Sequence, residues 1–372
     1  MVRIEEATDR RGLREFIQFP FRHYKDNKNW IPPLVSDDWS TFRRDKNPAY
    51  KYCEARFWLA KRDERTVGRV VAIRNDKANQ KWDQNRLRFG WIEFEDDPEV
   101  SRALMGTVER WAGDQGLSAV HGPMGFTDMD KEGMLIEGFD ELGTLPMIYN
   151  HDYYPRHMEE LGYRKDVDWL EYEITVPEKL DEKFGRLKKV VYEKYGLRVL
   201  EATRPKQLKA YAHEIFDVLN AAFGELYGFV ALSPEQIDIY VDQYFSFIQP
   251  DFTKVVLNSS DEVVGFEVGM PRLSTALQKA RGRLFPVGFI PLLRALSHPQ
   301  EVVFYLVGVR PDHQHMPVNA ILMSEFYQAL IDRGVRTVAT CGELEDNREI
   351  NLLMKNFPNR QHKKRRAWIR DL

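Results

Sequence analysis

Residues 133–154, GMLIEGFDELGTLPMIYNHDYY, bring ionisable groups into a stretch with too many glycines for a helix interior. Glu137, Asp140, Glu141, His151 and Asp152 are interleaved with Leu135, Ile136, Phe139, Leu142, Leu145, Met147 and Ile148. A carboxylate among apolar side chains has a raised pKa and is suited to take a proton near neutrality. A histidine such as His151 titrates there unaided. Glu137, Asp140 and His151 are therefore candidate general bases. Asn150 and Tyr154 offer hydrogen bonds to a substrate or a developing oxyanion, and Phe139 and Tyr153 offer apolar wall. Irregular backbone that is both apolar and ionisable has the composition of a pocket lip. A plainer reading stands beside each residue: Glu137 and Asp140 as solvated or turn-capping groups, His151 as a helix-start cap, and the tyrosines as core.

A second unusual stretch is 271–298. Arg272, Lys279, Arg281, Arg283 and Arg294 occur there with no acidic residue, and its back half carries Leu284, Phe285, Phe289, Ile290, Leu292, Leu293 and Leu296. A basic, apolar segment of this kind suits an anionic membrane surface. It equally suits a cover over a ligand's long apolar chain or phosphate, or a helical excursion packed on its own domain. The C-terminal run QHKKRRAWIR has poor hydrophobic alternation and is expected to be the exposed face of an edge strand.

Composition narrows the classes. The formal net charge is −3, which argues against a nucleic-acid partner. Residues 1–180 hold 28 basic and 34 acidic residues and the remainder 26 and 23, so an anionic ligand is expected in the second half. Cys53 and Cys341 form neither a disulfide framework nor a metal-ligand spacing, and His313 with His315 lacks a third ligand, so no metal is expected. The N-terminus MVRIEEATDRR has no apolar signal region and no run is long enough to span a bilayer. A reduced cytoplasm is the expected location, with the inner membrane face as a peripheral alternative; the oligomeric state is open.

Two similar successions of elements must position these groups. In the first, a strand at Val2–Glu5 precedes a helix capped by Asp9, followed by the strand pair ARFWLAKR/TVGRVVAIRN, the strand RFGWIEF and a helix from Pro98 to Gln115. A short helix near Tyr154–Leu161 and the strand VDWLEYEIT complete it. In the second, the strand LRVLEA leads into one helix over 204–223 and another capped by Ser233. The pair DFTKVVLN/EVVGFEVGM, the strand EVVFYLVGV, a helix over Met316–Arg333, the strand VRTVATC, a helix over Asp346–Asn356 and a last strand RRAWIRDL follow. The expected architecture is α/β: two modules, 1–176 and 197–372, joined by a linker at 177–196, each a mixed, mainly antiparallel sheet flanked by helices.

The residues GPMGFTDMDKEGMLIEGFD, with YNHDYY and EELGYRKDVDWLEYEI after them, resemble the signature of a bacterial family of GNAT-like N-acyltransferases to which GNAT-like ceramide synthases are related. The element order is also that of two GNAT modules in tandem. The resemblance implies transfer of an acyl group from acyl-CoA, or another acyl thioester, to a primary amine of a small molecule or lipid, with acyl-CoA as a co-substrate and no resident cofactor. It places the donor's pyrophosphate on the loop entering the helix after the fourth strand. In the first module that loop is EFEDDPEVS, whose acids repel a diphosphate. In the second it is VGVRPDHQHMPVNA. Val309, Arg310, His313, Gln314, His315 and Asn319 are then the donor residues, with Asn347 on the following segment. Pro317 and Asn319 replace the usual glycines, and Met354 falls where a tyrosine acid is usual. The resemblance also makes Glu93 a candidate base. A long-chain lipid acyltransferase and a degenerate tandem that binds a lipid or metabolite without turnover are its alternatives.

Overall fold

The computed structural model describes residues 1–180, 190–347 and 358–372. Its strands are β1 (Val2–Glu6), β2 (Cys53–Arg62), β3 (Arg65–Asn75), β4 (Arg86–Phe94), β5 (Ala119–Gly122), β6 (Met134–Glu137) and β7 (Arg164–Thr175) in the first half. The second half adds β8 (Arg198–Val199), β9 (Thr253–Leu257), β10 (Val263–Pro271), β11 (Glu301–Val309), β12 (Thr337–Thr340), β13 (Glu343–Leu344) and β14 (Asn359–Asp371). The principal helices are α1 (Arg10–His23), α2 (Val35–Phe42), α3 (Asp76–Lys81), α4 (Pro98–Asp114), α5 (Tyr154–Glu160), α6 (Ala212–Ala222), α7 (Pro234–Tyr244), α8 (Ser274–Ala280), α9 (Phe289–Ser297) and α10 (Val318–Asp332).

The expected punctuation holds where the chemistry is local. The Asp9 carboxylate accepts the Gly12 N–H at 2.7 Å and starts α1. Ser233 and Gln236 form a reciprocal capping box at α7. The helix expected over 204–223 is broken into Pro205–Lys209 and α6. Of the helix expected over Asp346–Asn356, all but Asp346 and Asn347 lies outside the described residues, Met354 included, as does part of the linker. The stretch 133–154 is not irregular throughout, because Met134–Glu137 pairs with β14.

All strands join one sheet of order β1-β2-β3-β4-β5-β14-β7-β12-β11-β10-β9-β8, with β6 and β13 at its flanks. The repeats follow the chain as expected, but the strands cross between them. The last strand, β14, lies between β5 and β7 of the first module, and β7 pairs on its other side with β12 of the second. The two sheets therefore become one.

The C-terminal basic run is thus central, not an exposed edge. In register, Lys363 faces Glu171 and Arg366 faces Asp168 across β14 and β7. Glu171 is fully buried between Arg365 and Lys363, the latter with Nζ at 3.4 Å. On the other face Asp168 takes Arg366 at 2.7 Å and Lys364 at 3.0 Å. Alternation along the run is an alternation of charge partners, so a hydrophobic pattern could not reveal it. Arg365 also donates to the Ile148 carbonyl, and its Nη1 lies 3.5 Å from the Gly133 carbonyl, which ties down both ends of the 133–154 stretch.

Glu171→Gln leaves two buried cations without a counter-charge. Removing one partner of such a cluster costs about 3–5 kcal/mol. Equilibrium urea unfolding should show a loss of that order; a loss within about 0.5 kcal/mol, the usual scale of a surface change, would mean that this cluster does not hold the two modules together.

Candidate active site

Each module carries a bulge in its fourth strand. In the first, Arg69 pairs with Glu93 and Val71 with Gly90, so Trp91 and Ile92 together oppose Val70. Trp91 sits at φ 42°, a conformation rare for a bulky residue and paid for by the surrounding fold. In the second, Val268 pairs with Leu306 and Gly269 with Phe304, which leaves Tyr305 as the extra residue. A bulge re-aims its side chains, and both open onto cavities.

A cavity of about 150 Å³ opens beside the first bulge. Its wall carries Asp38, Arg69, Glu93, Lys131, Asn150 and Tyr154. Arg69 is 2% exposed. Its guanidinium pairs with Glu93, donates to the Phe16 carbonyl at 2.7 Å and stacks over the Phe16 ring. Asp38 comes from α2, where Asp38 and Phe42 are the buried face at i, i+4 spacing. Its Oδ2 has no hydrogen-bond partner, and burial pushes its pKa up to about 7 against the pull of Arg69 and Lys131. Burial likewise lowers the Lys131 ammonium, opposed by Asp38 and Glu93.

A larger cleft, about 920 Å³, opens beside the second bulge. The parallel pairing of β11 with β12 ends at Phe304 and Thr340. Beyond it the β11 residues Tyr305–Val309 line the cleft on that side, while Leu306–Val309 still pair with β10 on the other. Gln314, Asn319 and Asn347 line it too, and the first-turn N–H groups of α10 have no acceptor within the helix. The cleft wall also holds Asp128, Asp130, Glu132 and Glu343. Burial raises Asp128 and Asp130 to about 6 and Glu343 to about 7; burial, with repulsion from Asp128 added, also raises Glu132 well above the usual carboxylate range. Asp130 is held by the N–H groups of Phe126 and Thr127 at 2.8 and 3.1 Å.

The corresponding opening in the first module is filled. The Tyr154 hydroxyl accepts the Phe94 N–H at 2.9 Å, and the Tyr153 hydroxyl donates to the Phe94 carbonyl at 2.6 Å. The strand end that is open in the second module is thus satisfied by side chains here. At the start of α4, Asp97 accepts the Glu99 N–H, and Arg62 binds both Asp97 and Glu99. An anion would meet carboxylates there.

A third cavity, about 70 Å³, lies between the second sheet and α6 and α7. Leu208, Ile215, Leu219, Val241, Phe266 and Val268 are among its walls, and no charged residue lines it. Met129 and Tyr305 line all three cavities, so the charged pocket, the large cleft and the apolar slot meet there.

Of the residues singled out from the sequence, Glu93, Asn150 and Tyr154 come together in the charged pocket, and Val309, Gln314, Asn319 and Asn347 in the cleft. The others lie elsewhere. Glu137 and Asp140 are exposed. His151 stacks on Tyr153 and Tyr24, and the Phe139 carbonyl accepts from Tyr149 and Asn29. Asn150 also braces the backbone, its amide bonding both the N–H and the carbonyl of Leu135. Arg310 is paired with Asp312, which also holds His313, and His315 is exposed. Asp38, Arg69, Lys131, Met129 and Tyr305 escaped sequence reasoning. The one local signal was the acid-rich TDMDKE just ahead of Gly133.

No family model matches the chain. It is 28% identical to Protein YghO of Escherichia coli over 99% of this chain and 95% of that one. It is 29% identical to the bacterial ceramide synthase of Caulobacter vibrioides over 77% of this chain and 74% of that one. Among solved structures, a tandem GNAT protein from the clavulanic acid biosynthesis pathway superposes with a TM-score of 0.56 at 11% identity, covering 100% of this chain and 98% of that one. A GCN5-related N-acetyltransferase from Sphaerobacter thermophilus gives 0.51 at 13% identity, covering 100% and 95%. The fold is that of tandem GNAT proteins.

Asp38 provides a test of the charged pocket. Its folded pKa stands above its ordinary value of 3.8, so the native state holds a proton that the unfolded chain has lost. Stability from this group falls as pH rises from about 4 to about 7 and is level above. Asp38→Asn should therefore gain stability relative to the parent across that window and keep the gain at pH 8. A difference independent of pH in urea titrations would show that the carboxyl is not desolvated.

Proposed function

We propose that this protein is an N-acyltransferase that moves an acyl group longer than acetyl from a thioester, held in the second-module cleft, to a primary amine in the charged pocket of the first module. One observation carries the reading: Met129 and Tyr305 belong to all three cavities, so a donor, its acyl tail and an acceptor would meet at one point. The apolar slot favours a tail over acetyl, because a dry apolar cavity gains most from an apolar occupant. The similarity to a protein named a ceramide synthase and the N-acetyltransferase fold agree with this class. Acyl-CoA is the donor we favour.

In this scheme the pantetheine arm runs along the open side of β11. Its phosphates reach the α10 N-terminus at Asn319, where the unbonded N–H groups favour an anion. Asp130, which lines both the charged pocket and the cleft, attracts the ammonium form of the acceptor and takes its first proton. Asp38 takes the amine proton as the nitrogen attacks the carbonyl carbon. The C–N bond forms, the C–S bond breaks, and the thiolate leaves to be protonated. Glu93, neutralised by Arg69, orients the acceptor. A tandem that binds a lipid without turnover is the competing reading, favoured by Pro317, which removes one donor from the α10 start.

Thiol release should be followed with acetyl-, octanoyl- and palmitoyl-CoA and a panel of amines. The longer thioesters should turn over at least about tenfold faster than acetyl, the scale of a few buried methylenes. Ile215→Trp, which fills the slot, should erase that preference. Asp38→Asn should lower turnover by about 10²-fold or more and remove the acid limb near pH 7. Binding of the thioester with no thiol release for any amine would favour the non-catalytic reading.

A further inference from the structure

The insertion between β10 and β11 is a helical hairpin, α8 and α9, and its two sides differ. The inner side is anchored. Leu273, Ala276, Leu277, Ala280 and Leu292 pack with Ile31 and Leu34 of the first module. Gln278 donates to the carbonyls of Lys28 and Trp30 at 2.8 and 3.0 Å, and Ser274 to that of Gly143 at 2.9 Å. At Gly282, φ is 69° and an added Cβ would stand 2.4 Å from the Pro33 carbonyl oxygen, so the hairpin turn sits hard against the first module.

The outer side has no partner. Phe285, Val287, Phe289, Ile290 and Leu293 are all exposed, Phe285 by 80% and Val287 by 65%. The other large apolar residues exposed among the described ones are the two termini and the scattered Val190, Tyr192 and Ile239. An apolar cluster confined to nine residues of an otherwise well-anchored hairpin marks an interaction surface. Lys279, Arg281, Arg283 and Arg294 are exposed around it. None of these four forms an ion pair among the described residues, and 272–300 contains no Asp or Glu. The hairpin's inner side packs on residues that also line the charged pocket, Trp30, Ile31, Pro33, Leu34 and Gly143 among them.

We propose that the 285–294 tip docks this protein on an anionic lipid bilayer. The aromatic and aliphatic side chains enter the headgroup boundary, and the surrounding cations meet lipid phosphates. A second copy is a poorer occupant, since a two-fold contact would set four uncompensated cations against the same four. Docked this way, the hairpin that packs on the charged pocket's wall brings that pocket near the bilayer, and the acceptor class becomes a membrane-resident amine. This last step rests on the function proposed above; the docking does not.

Co-sedimentation without any substrate separates the two. The full chain should sediment with vesicles containing about one-third phosphatidylglycerol in phosphatidylcholine and bind pure phosphatidylcholine at least about tenfold more weakly, with the difference shrinking in high salt. Phe285→Ser/Ile290→Ser and, separately, Arg281→Glu/Arg283→Glu should each reduce anionic-vesicle binding at least about tenfold with unchanged thermal unfolding. These positions are exposed, so neither variant disturbs packing. The proposal is overturned by a parent protein that ignores anionic vesicles, by binding that survives both double variants, or by tip-dependent self-association in their absence.

Discussion

A buried carboxylate between two buried cations holds this protein in its shape. Glu171, on the last strand of the first module, meets Arg365 and Lys363, on the last strand of the second. Desolvation raises the pKa of such a carboxyl, but the two cations outweigh it and Glu171 stays below the usual carboxylate range. Neither cation could be buried without it. With it, β14 crosses into the first module's sheet and carries Arg365 to the Ile148 carbonyl, beside that of Gly133. The last thirteen residues of the described structure thus fix the stretch that lines the charged pocket. The relative position of the two modules, and so the meeting of three cavities at Met129 and Tyr305, depends on the same pairing.

The modules share a fold yet differ at one point, the free end of the fourth strand. There a strand parts from its neighbour and its backbone groups need partners. In the first module Tyr153 and Tyr154 supply them at Phe94. In the second the strand faces a cleft. The same backbone need is met by tyrosine side chains in one copy and opens onto a cleft in the other. The charged groups follow this division, with Asp97 capping the α4 start and no side chain capping that of α10. The second module's fourth strand thus borders an open cleft, while the first module's bulge, with Arg69 and Glu93, borders the smaller charged pocket.

What the sequence discloses is what local chemistry decides. Asp9, Ser233 and Pro98 mark helix starts because a cap acts within a turn. Glu93, Gln314 and Asn319 are nominated by the resemblance to GNAT-like proteins, which local chemistry alone does not supply. Asp38 could not be found: it lies on an eight-residue helix, and only burial against the distant Arg69 and Lys131 distinguishes it from its neighbour Asp37. Glu137 and Asp140 misled for the same reason in reverse. Their apolar neighbours Leu135 and Ile136 face inward or pack on the core while the carboxylates point to water, a separation that composition alone does not show. The basic C-terminal run looked like a solvated face because its acidic partners lie about 190 residues earlier.

The three cavities also solve a conflict in the proposed chemistry. An amine is held best as an ammonium by carboxylates, yet it attacks only after losing a proton, and an apolar chain is held best where there is no charge at all. One cavity cannot meet both demands. Here the carboxyls line the charged pocket and the large cleft, and the slot that meets both at Met129 and Tyr305 has none. Burial pushes Asp38 and Glu343 up to about 7 and Asp128 and Asp130 up to about 6, well above the ordinary carboxylate range. A carboxyl raised that far can bind an ammonium and accept its proton with little cost either way.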